Sequence, residues 1–208
     1  QPMLNKEKEY YSDEVKLIAG TDEAGRGPLA GPVFAAAVIF PAGYSNDEID
    51  DSKKLTAKKR DRLFDLIKRD ALAYGIASVS AKEIDEINIY EAARKAMMMA
   101  LDQLSSKPDL ILTDAMPLPS YPIKAIPIIK GDAKALCIAA ASILAKVSRD
   151  RYMDELEKQY PDFSFSKHKG YGTKAHLQEL DEHGPIEGVH RFSFEPVREK
   201  ATSIWRFI

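Results

Sequence analysis

An apolar segment near the beginning of the chain ends in two adjacent carboxylates, Asp22 and Glu23, and a glycine-rich loop follows them. Val15, Leu17 and Ile18 are apolar enough for a buried strand, and the glycines at 20, 25, 27 and 31, with the prolines at 28 and 32, mark where we expect that strand to give way to a turn. Side chains alternate between the two faces of a strand. Both acids therefore serve one site only if the strand is irregular there, or if Glu23 contributes its backbone carbonyl.

The loop after these acids, Gly25-Arg26-Gly27, combines accessible backbone N–H groups with a guanidinium. Glycine lacks the Cβ atom that keeps a ligand away from the backbone, so such a loop is suited to binding an anion or a hydroxyl group. Taken alone, the acid pair and the loop are equally compatible with a tight turn that carries no function.

Two further acids follow apolar segments of strand length. Asp114 ends the segment 110–114, and Asp132 follows the segment 126–129. Taken singly, Asp114 is compatible with an ordinary strand-end acid, and Asp132 with the N-cap of the helix that we expect from Ala133. Three predicted strand ends nevertheless deliver carboxylates, and together they indicate a cluster.

A cluster of four carboxylates has a recognised chemical use. Carboxylates without histidine or cysteine partners suit a hard, oxygen-preferring cation such as Mg²⁺ or Mn²⁺, and they argue against zinc. Two such ions about 3.5–4 Å apart can hold the attacking water and the departing oxygen of an in-line displacement. The sequence therefore predicts a two-ion site that hydrolyses a phosphodiester.

Alternating strands and helices predict an α/β fold. A mixed sheet is expected, because the first two strands are joined too tightly for a helical crossover. We expect Thr56 to be a helix N-cap, and the long fourth helix to be broken or bent near Arg149. The first predicted strand begins near Val15, and the other four span 33–40, 71–80, 110–114 and 126–129. The predicted helices span 56–69, 89–104, 133–160 and 173–183.

The length of 208 residues is enough for one substantial core. We divide the chain into a polar N-terminal segment (1–14), which starts at Gln1 and is compatible with trimming, a catalytic core (15–160) and a C-terminal helical part (161–208) that completes the substrate site. Cys137 lies in an alanine-rich segment and is expected to be buried. No segment is apolar enough to cross a membrane, so we expect a cytoplasmic monomer without a membrane partner.

Charge limits how the protein binds a polyanion. Thirty Lys and Arg residues against thirty-two Asp and Glu residues give a net charge of −2, so any basic surface must be local. In the helix around Arg149–Arg151 we expect solvated or ion-paired charges, and we assign mainly structural roles to Asp150, His168, His190 and Arg191.

Taken in order, the motifs of the chain resemble those of bacterial ribonuclease HII, the type 2 ribonuclease H. The resemblance rests on the segments at residues 22–32, 51–55, 113–114, 130–132, 139–147, 168–173 and 190–194. It implies a ribonuclease H-like mixed five-stranded sheet flanked by helices, with a C-terminal helical part. It also implies that the four acids, Asp22, Glu23, Asp114 and Asp132, are catalytic and bind the metal.

The resemblance also implies roles in substrate binding. Gly25, Arg26 and Gly27 match the loop that recognises a ribose 2′-OH, and Tyr171 matches the tyrosine that stacks on the sugar at an RNA-to-DNA junction. Tyr171 lies between two glycines, a context that favours presentation to a ligand over burial in a core. Expected phosphate contacts are Lys53, Ser142 and Lys146, and a local set of cations adds Arg26, Lys167 and Lys169 as candidates.

The implied activity is cleavage of the RNA strand of RNA/DNA hybrids and of duplex DNA on the 5′ side of a single ribonucleotide, leaving 3′-hydroxyl and 5′-phosphate ends. Such an enzyme removes ribonucleotides from DNA. Two alternatives stay open: a general hybrid nuclease of type HIII character, and a non-catalytic duplex-binding module. The last residues, 205–208, show no obvious box for binding the replication clamp, so recruitment by that clamp is not expected.

Overall fold

The protein forms one mixed sheet with helices on both faces. The computed structural model describes residues 6–205, with the side chains of residues 6–202. Within this range the strands are β1 (Ile18–Ala24), β2 (Val33–Ile39), β3 (Ala73–Val79), β4 (Leu110–Asp114) and β5 (Ala125–Ile128). Their order in the sheet is β3-β2-β1-β4-β5. β1, β2 and β3 are antiparallel neighbours, whereas β4 lies parallel to β1 and β5 parallel to β4. The predicted mixed five-stranded sheet is confirmed.

Helices follow the strands in the predicted order. The described α-helices are α1 (Ala57–Asp70), α2 (Ala81–Ile87), α3 (Ile89–Asp102), α4 (Leu136–Gln159), α5 (Phe165–His168), α6 (Lys174–His183) and α7 (Glu195–Trp205). Thr56 is the N-cap of α1, as expected, and its side chain accepts a hydrogen bond from the Lys59 N–H. The sequence analysis did not predict α2, α5 and α7. The helix expected to be broken or bent near Arg149 is not broken, because α4 runs continuously from Leu136 to Gln159.

The first strand differs from its prediction in a way that matters for the site. We expected the glycines at 20, 25, 27 and 31 to mark the turn, but Gly20 lies within β1, which continues to Ala24, and it pairs with Val38 of β2. Gly20 is required by packing, since a Cβ atom there would collide with the backbone of α4 at Cys137 and Ile138. The turn begins instead at Gly25, whose φ of 91° is in the left-handed region. Both acids therefore lie within β1, and both nevertheless line one pocket.

Two cores enclose the sheet, and a third lies beneath the C-terminal part. Helices α1 and α4 cover one face, and α3 covers the other with Met97 fully buried. The third core includes Leu29, Met153 and Phe165, so the C-terminal part packs on α4 and on the loop after β1. An isolated bridge between Ala30 and His190 joins the same two regions. This contact brings the C-terminal part to the edge of the catalytic core.

The chain before β1 is partly structured. Residues Lys6–Glu9 form a 3-10 helix, and the buried Glu7 carboxylate accepts a hydrogen bond from the Leu136 N–H at the start of α4. Cys137 is buried beside it, as predicted. No helix in the described range is long and apolar enough to cross a membrane. The residues 206–208, part of the terminus in which we expect no clamp-binding box, lie outside the described range.

Candidate active site

Three acids meet at one edge of the sheet. Asp22 lies on β1, Asp114 ends β4, and Asp132 follows β5 in the short 3-10 helix Gly131–Ala133. Because β1, β4 and β5 are parallel, their carboxyl ends reach the same edge. One ligand oxygen from each of the three carboxylates lies within 4.8 Å of the other two. Asp22 and Asp132 are buried, and Asp114 is partly buried.

These carboxylates repel one another in the absence of a cation. Burial, followed by the charges of Glu23, Asp114 and Asp132, raises the pKa of Asp22 well above its usual range. Burial and the charge of Glu23 also raise the pKa of Asp114. The Gly131 N–H donates to Asp114 at 2.8 Å, which orients this carboxylate and partly opposes the rise of its pKa. Nearby positive charge therefore stabilises the ionised form of these carboxylates.

Glu23 faces the same pocket but is not one of the three converging acids. Its Oε1 atom lies 3.5 Å from a guanidinium nitrogen of Arg26. Its Oε2 atom is buried and has no hydrogen-bond partner among the described residues. A buried carboxylate oxygen without a partner is costly unless a cation or water satisfies it. The all-oxygen donor set and this unpartnered atom fit a hard divalent cation.

The glycine loop forms the wall of the pocket beside the acids. Within residues 6–205, neither the N–H of Arg26 nor that of Gly27 has a protein acceptor. A Cβ atom at Gly27 would lie 3.6 Å from the ring of Tyr171, so the tyrosine ring borders the loop. The Tyr171 side chain is 43% exposed and can meet a ligand. The structure thus brings two free backbone donors and an aromatic ring to the acids.

Predicted basic residues are distributed unevenly around this pocket. Lys53 lines it, and its ammonium lies 3.3 Å from Asp132. Burial lowers the pKa of Lys53, but the charges of Asp132 and Asp51 outweigh burial and raise it. Lys146 also lines the pocket and is paired with Asp150 at 2.9 Å. The full set of lining residues is Asp22, Glu23, Ala24, Gly25, Arg26, Gly27, Ser52, Lys53, Asp114, Asp132, Lys146 and Tyr171.

Three other predicted contacts lie elsewhere. Ser142 is buried within α4, and its hydroxyl donates to the Ala139 carbonyl at 2.6 Å. Lys169 directs its ammonium to Asp154 at 2.6 Å. Lys167 is exposed on α5 and does not line the pocket.

Two buried arginines donate hydrogen bonds to backbone carbonyls of the loop after β1. Arg149 donates to the carbonyls of Ala30, Pro32 and Lys169. Arg191 donates to the carbonyls of Gly25, Arg26 and Gly31. Both side chains are almost fully buried, and burial lowers the pKa of Arg149 to about 10 and that of Arg191 to about 9.

The solvated or ion-paired state that we expected for Arg149 is wrong, whereas the structural role expected for Arg191 agrees with its contacts. Arginine is able to bind several carbonyls at once, because its guanidinium carries five donors in a planar fork. No local sequence signal predicts these contacts, since the acceptors are backbone atoms more than 100 residues away for five of the six hydrogen bonds.

Comparisons with known proteins agree with this arrangement. A family model described as Ribonuclease HII matches residues 19–197. Ribonuclease HII of Caldanaerobacter subterraneus subsp. tengcongensis is 52% identical over 188 residues, which cover 90% of this chain and 78% of that protein.

Solved structures show the same fold. Ribonuclease H2 from Pyrococcus horikoshii has a TM-score of 0.78 at 29% identity, with 91% of this chain and 99% of that chain covered. Ribonuclease HII from Archaeoglobus fulgidus, solved as a complex with PCNA, has a TM-score of 0.70 at 26% identity, with coverages of 86% and 95%. The chain therefore belongs to the ribonuclease HII family and is a ribonuclease H, a hydrolase that acts as an endonuclease.

Proposed function

We propose that the protein cleaves the RNA strand of RNA/DNA hybrids and nicks duplex DNA on the 5′ side of single embedded ribonucleotides. The products would carry 3′-hydroxyl and 5′-phosphate ends, and the reaction would depend on Mg²⁺ or Mn²⁺. The observation that carries this proposal is the presence of three converging carboxylates, a loop with free N–H groups and an exposed tyrosine in one pocket.

The carboxylates would hold the cations. Asp22, Asp114 and Asp132 present converging oxygens, and Glu23 adds a buried oxygen without a partner beside them. When bound, divalent cations supply Lewis-acid stabilisation of the charge that develops on the phosphate and activate water for attack. Lys53, which lies next to Asp132, would contact a phosphate oxygen of the substrate.

The loop would select for RNA. The ribose 2′-hydroxyl is both a donor and an acceptor, and it distinguishes RNA from DNA at a single position. The free N–H groups of Arg26 and Gly27 can donate to this oxygen, because the glycines leave space for the sugar. The Tyr171 ring beside Gly27 would then stack on the next sugar, at the junction with DNA.

One assay tests this function. A labelled DNA duplex with one ribonucleotide is incubated with and without Mg²⁺ or Mn²⁺, and the ends are mapped. We expect cation-dependent nicking 5′ of the ribonucleotide, with no cleavage of the all-DNA control. Cleavage restricted to long RNA/DNA hybrids would favour the type HIII alternative. Binding of the duplex without any cleavage would favour the non-catalytic module.

A further inference from the structure

The candidate site borders a buried group of histidines that its proposed chemistry does not use. Of the four histidines in the chain, His168, His176 and His190 are buried together against the stacked rings of Phe163 and Phe165. His176 stacks on His168 with 4.1 Å between ring centroids. Its Nδ1 atom lies 2.9 Å from the carbonyl oxygen of Tyr171, so this group touches the backbone of the proposed junction residue.

The hydrogen bonds through His190 and His176 form a chain with a fixed direction. The Ile186 N–H donates to His190 Nδ1 at 2.9 Å. The Nε2 atoms of His190 and His176 are 3.0 Å apart, and His176 Nδ1 meets the Tyr171 carbonyl. A backbone N–H only donates and a carbonyl only accepts, so His190 Nδ1 carries no proton and His176 Nδ1 carries one.

This assignment leaves one arrangement for neutral rings. A neutral imidazole has one N–H, so His190 carries its proton on Nε2, and Nε2 of His176 is bare. The 3.0 Å contact between the two Nε2 atoms is then a matched donor and acceptor. A second proton on His190 would lie on Nδ1 and face the Ile186 N–H, and a second proton on His176 would lie on Nε2 and face the N–H of His190. Each would replace a hydrogen bond by a contact between two donors. Burial keeps both rings neutral, since it lowers the pKa of His176 to about 4 and that of His190 to about 3.

The third histidine anchors the other side of the same turn. His168 Nδ1 accepts from the Gly170 N–H at 3.0 Å, and its Nε2 lies 2.7 Å from Glu179. The Tyr171 N–H donates to the His168 carbonyl. Lys169 and Gly170 both have positive φ angles, so the turn itself is unusual for ordinary residues and depends on such contacts. The backbone of Tyr171 is therefore held on both sides while its ring remains exposed.

We propose that His176 and His190 are positioning residues: a directed pair of neutral imidazoles that fixes the Tyr171 backbone, and through it the ring that reads the RNA-to-DNA junction. This inference rests on the proposed function of Tyr171. The pair extends from the Ile186 N–H to the Tyr171 carbonyl, so it connects the segment before Arg191 with the pocket wall. Neither imidazole lines the pocket, which distinguishes them from catalytic groups.

The tautomers are tested on the unmodified protein. Long-range ¹H–¹⁵N spectra of histidine-labelled protein at neutral pH distinguish Nδ1–H from Nε2–H, and variants assign the four sets of signals. We expect an Nε2–H on His190 and an Nδ1–H on His176. The opposite tautomer on either ring, or a doubly protonated ring, would overturn the proposal.

The coupling to Tyr171 is tested by a double-mutant cycle. His176→Phe keeps a ring but removes the donor, and it should lower kcat/KM on a single-ribonucleotide duplex by roughly tenfold, the order expected when a buried carbonyl loses its partner. In the Tyr171→Ala background the same substitution should cost less than about twofold, because its effect passes through Tyr171. Equal losses in both backgrounds would refute the positioning role.

Three controls separate this role from general damage. His176→Asn retains an N–H near the Nδ1 position and should recover most of the loss. His183→Phe, on the same helix but exposed, should leave kcat/KM unchanged. Mn²⁺ affinity of the protein alone should be the same in His176→Phe and the wild type, since the acids are untouched, and a weaker affinity would indicate a collapsed site. If the wild type does not nick the duplex, the proposed function fails, whereas the tautomer result still decides the imidazole chain.

Discussion

Asp22 is the acid whose environment most disfavours a negative charge. It is buried, and three neighbouring carboxylates add their repulsion. Such a residue opposes folding of the metal-free protein at neutral pH, yet it has the geometry of a cation ligand. Function and stability should therefore respond in opposite directions when its charge is removed.

Asp22→Asn and Asp114→Asn should each reduce cleavage by at least about a hundredfold, because each removes an oxygen that, in the proposed site, would hold the cation. The same variants should melt at a higher temperature than the wild type in a chelator, since they relieve repulsion. Cleavage rates and thermal melts measure the two effects. Asp65→Asn, an exposed acid on α1, is the matched control and should change neither. Near wild-type cleavage by either site variant would remove that acid from the proposed set.

Tyr171 offers a second test at the scale of one side chain. Tyr171→Ala should lose on the order of 1–3 kcal/mol on duplexes with a single ribonucleotide, by analogy with aromatic stacking on bases. A long RNA tract lacks a deoxyribose at that position for most cleavage points, so its cleavage should respond less. Kinetics on the two substrates provide the comparison, and Tyr171→Phe separates the ring from the hydroxyl. Equal losses on both substrates would show that Tyr171 does not read the junction.

At the scale of elements, the loop after β1 is held by side chains from distant parts of the chain. Arg149 on α4 donates to three carbonyls, one of them next to the turn that presents Tyr171. A lysine has a single nitrogen and no planar fork, so it cannot satisfy three separated carbonyls at once.

Arg149→Lys should lower the free energy of unfolding by about 1–3 kcal/mol, since buried carbonyls lose their partners. Arg151→Lys on the same helix is the control, because Arg151 is half exposed and pairs with Asp61 at 3.4 Å. Chemical denaturation of both variants measures the difference. Comparable stabilities for the two lysine variants would contradict a structural role for the Arg149 hydrogen bonds.

The sequence was sufficient to locate the carboxylates, since each follows an apolar segment of strand length. Asp114 and Asp132 were expected at strand ends, and the structure brings both to Asp22. It was not sufficient at Gly20, where a glycine that suggested a turn instead permits close approach of α4. The contacts of Arg149 and of the three histidines depend on tertiary neighbours, which no local pattern encodes.

For the whole molecule, cation binding and pH should be linked. The raised pKa values of Asp22 and Asp114 mean that stability from these groups is present below their ordinary pKa values and is lost as the pH rises through the folded-state values. A divalent cation bound to the deprotonated carboxylates would reverse this loss.

The rise in melting temperature caused by saturating Mg²⁺ should therefore increase as the pH rises above the ordinary carboxylate pKa of about 4. The buried histidines have the opposite effect on stability: because their pKa values are lowered, the protein loses stability as the pH falls below about 6.5. This loss is the same with and without the cation. Calorimetry of matched samples isolates the difference. In Asp22→Asn the rise in melting temperature caused by Mg²⁺ should be much smaller at every pH. A rise in the wild type that does not depend on pH would contradict a carboxylate site.

The overall charge sets how strongly salt should weaken substrate binding. With a net charge of −2, phosphate contacts depend on local cations, and Lys53 and Lys146 are already close to Asp132 and Asp150. Affinity for the duplex should fall with salt, but less steeply than for a strongly basic protein. Fluorescence anisotropy between about 50 and 200 mM salt measures the slope. A flat response would argue against any phosphate-tracking surface.

The uninterrupted α4 has a consequence for where a strand is cut. It begins four residues after Asp132, contributes Lys146 to the pocket, and through Arg149 reaches the carbonyl of Lys169, two residues before Tyr171. Since each helical residue adds about 1.5 Å, the length of the continuous helix contributes to the separation between Asp132, before its first residue, and the turn that carries Tyr171. Under the proposed function, this spacing would set which phosphodiester is cut, counted from the RNA-to-DNA junction.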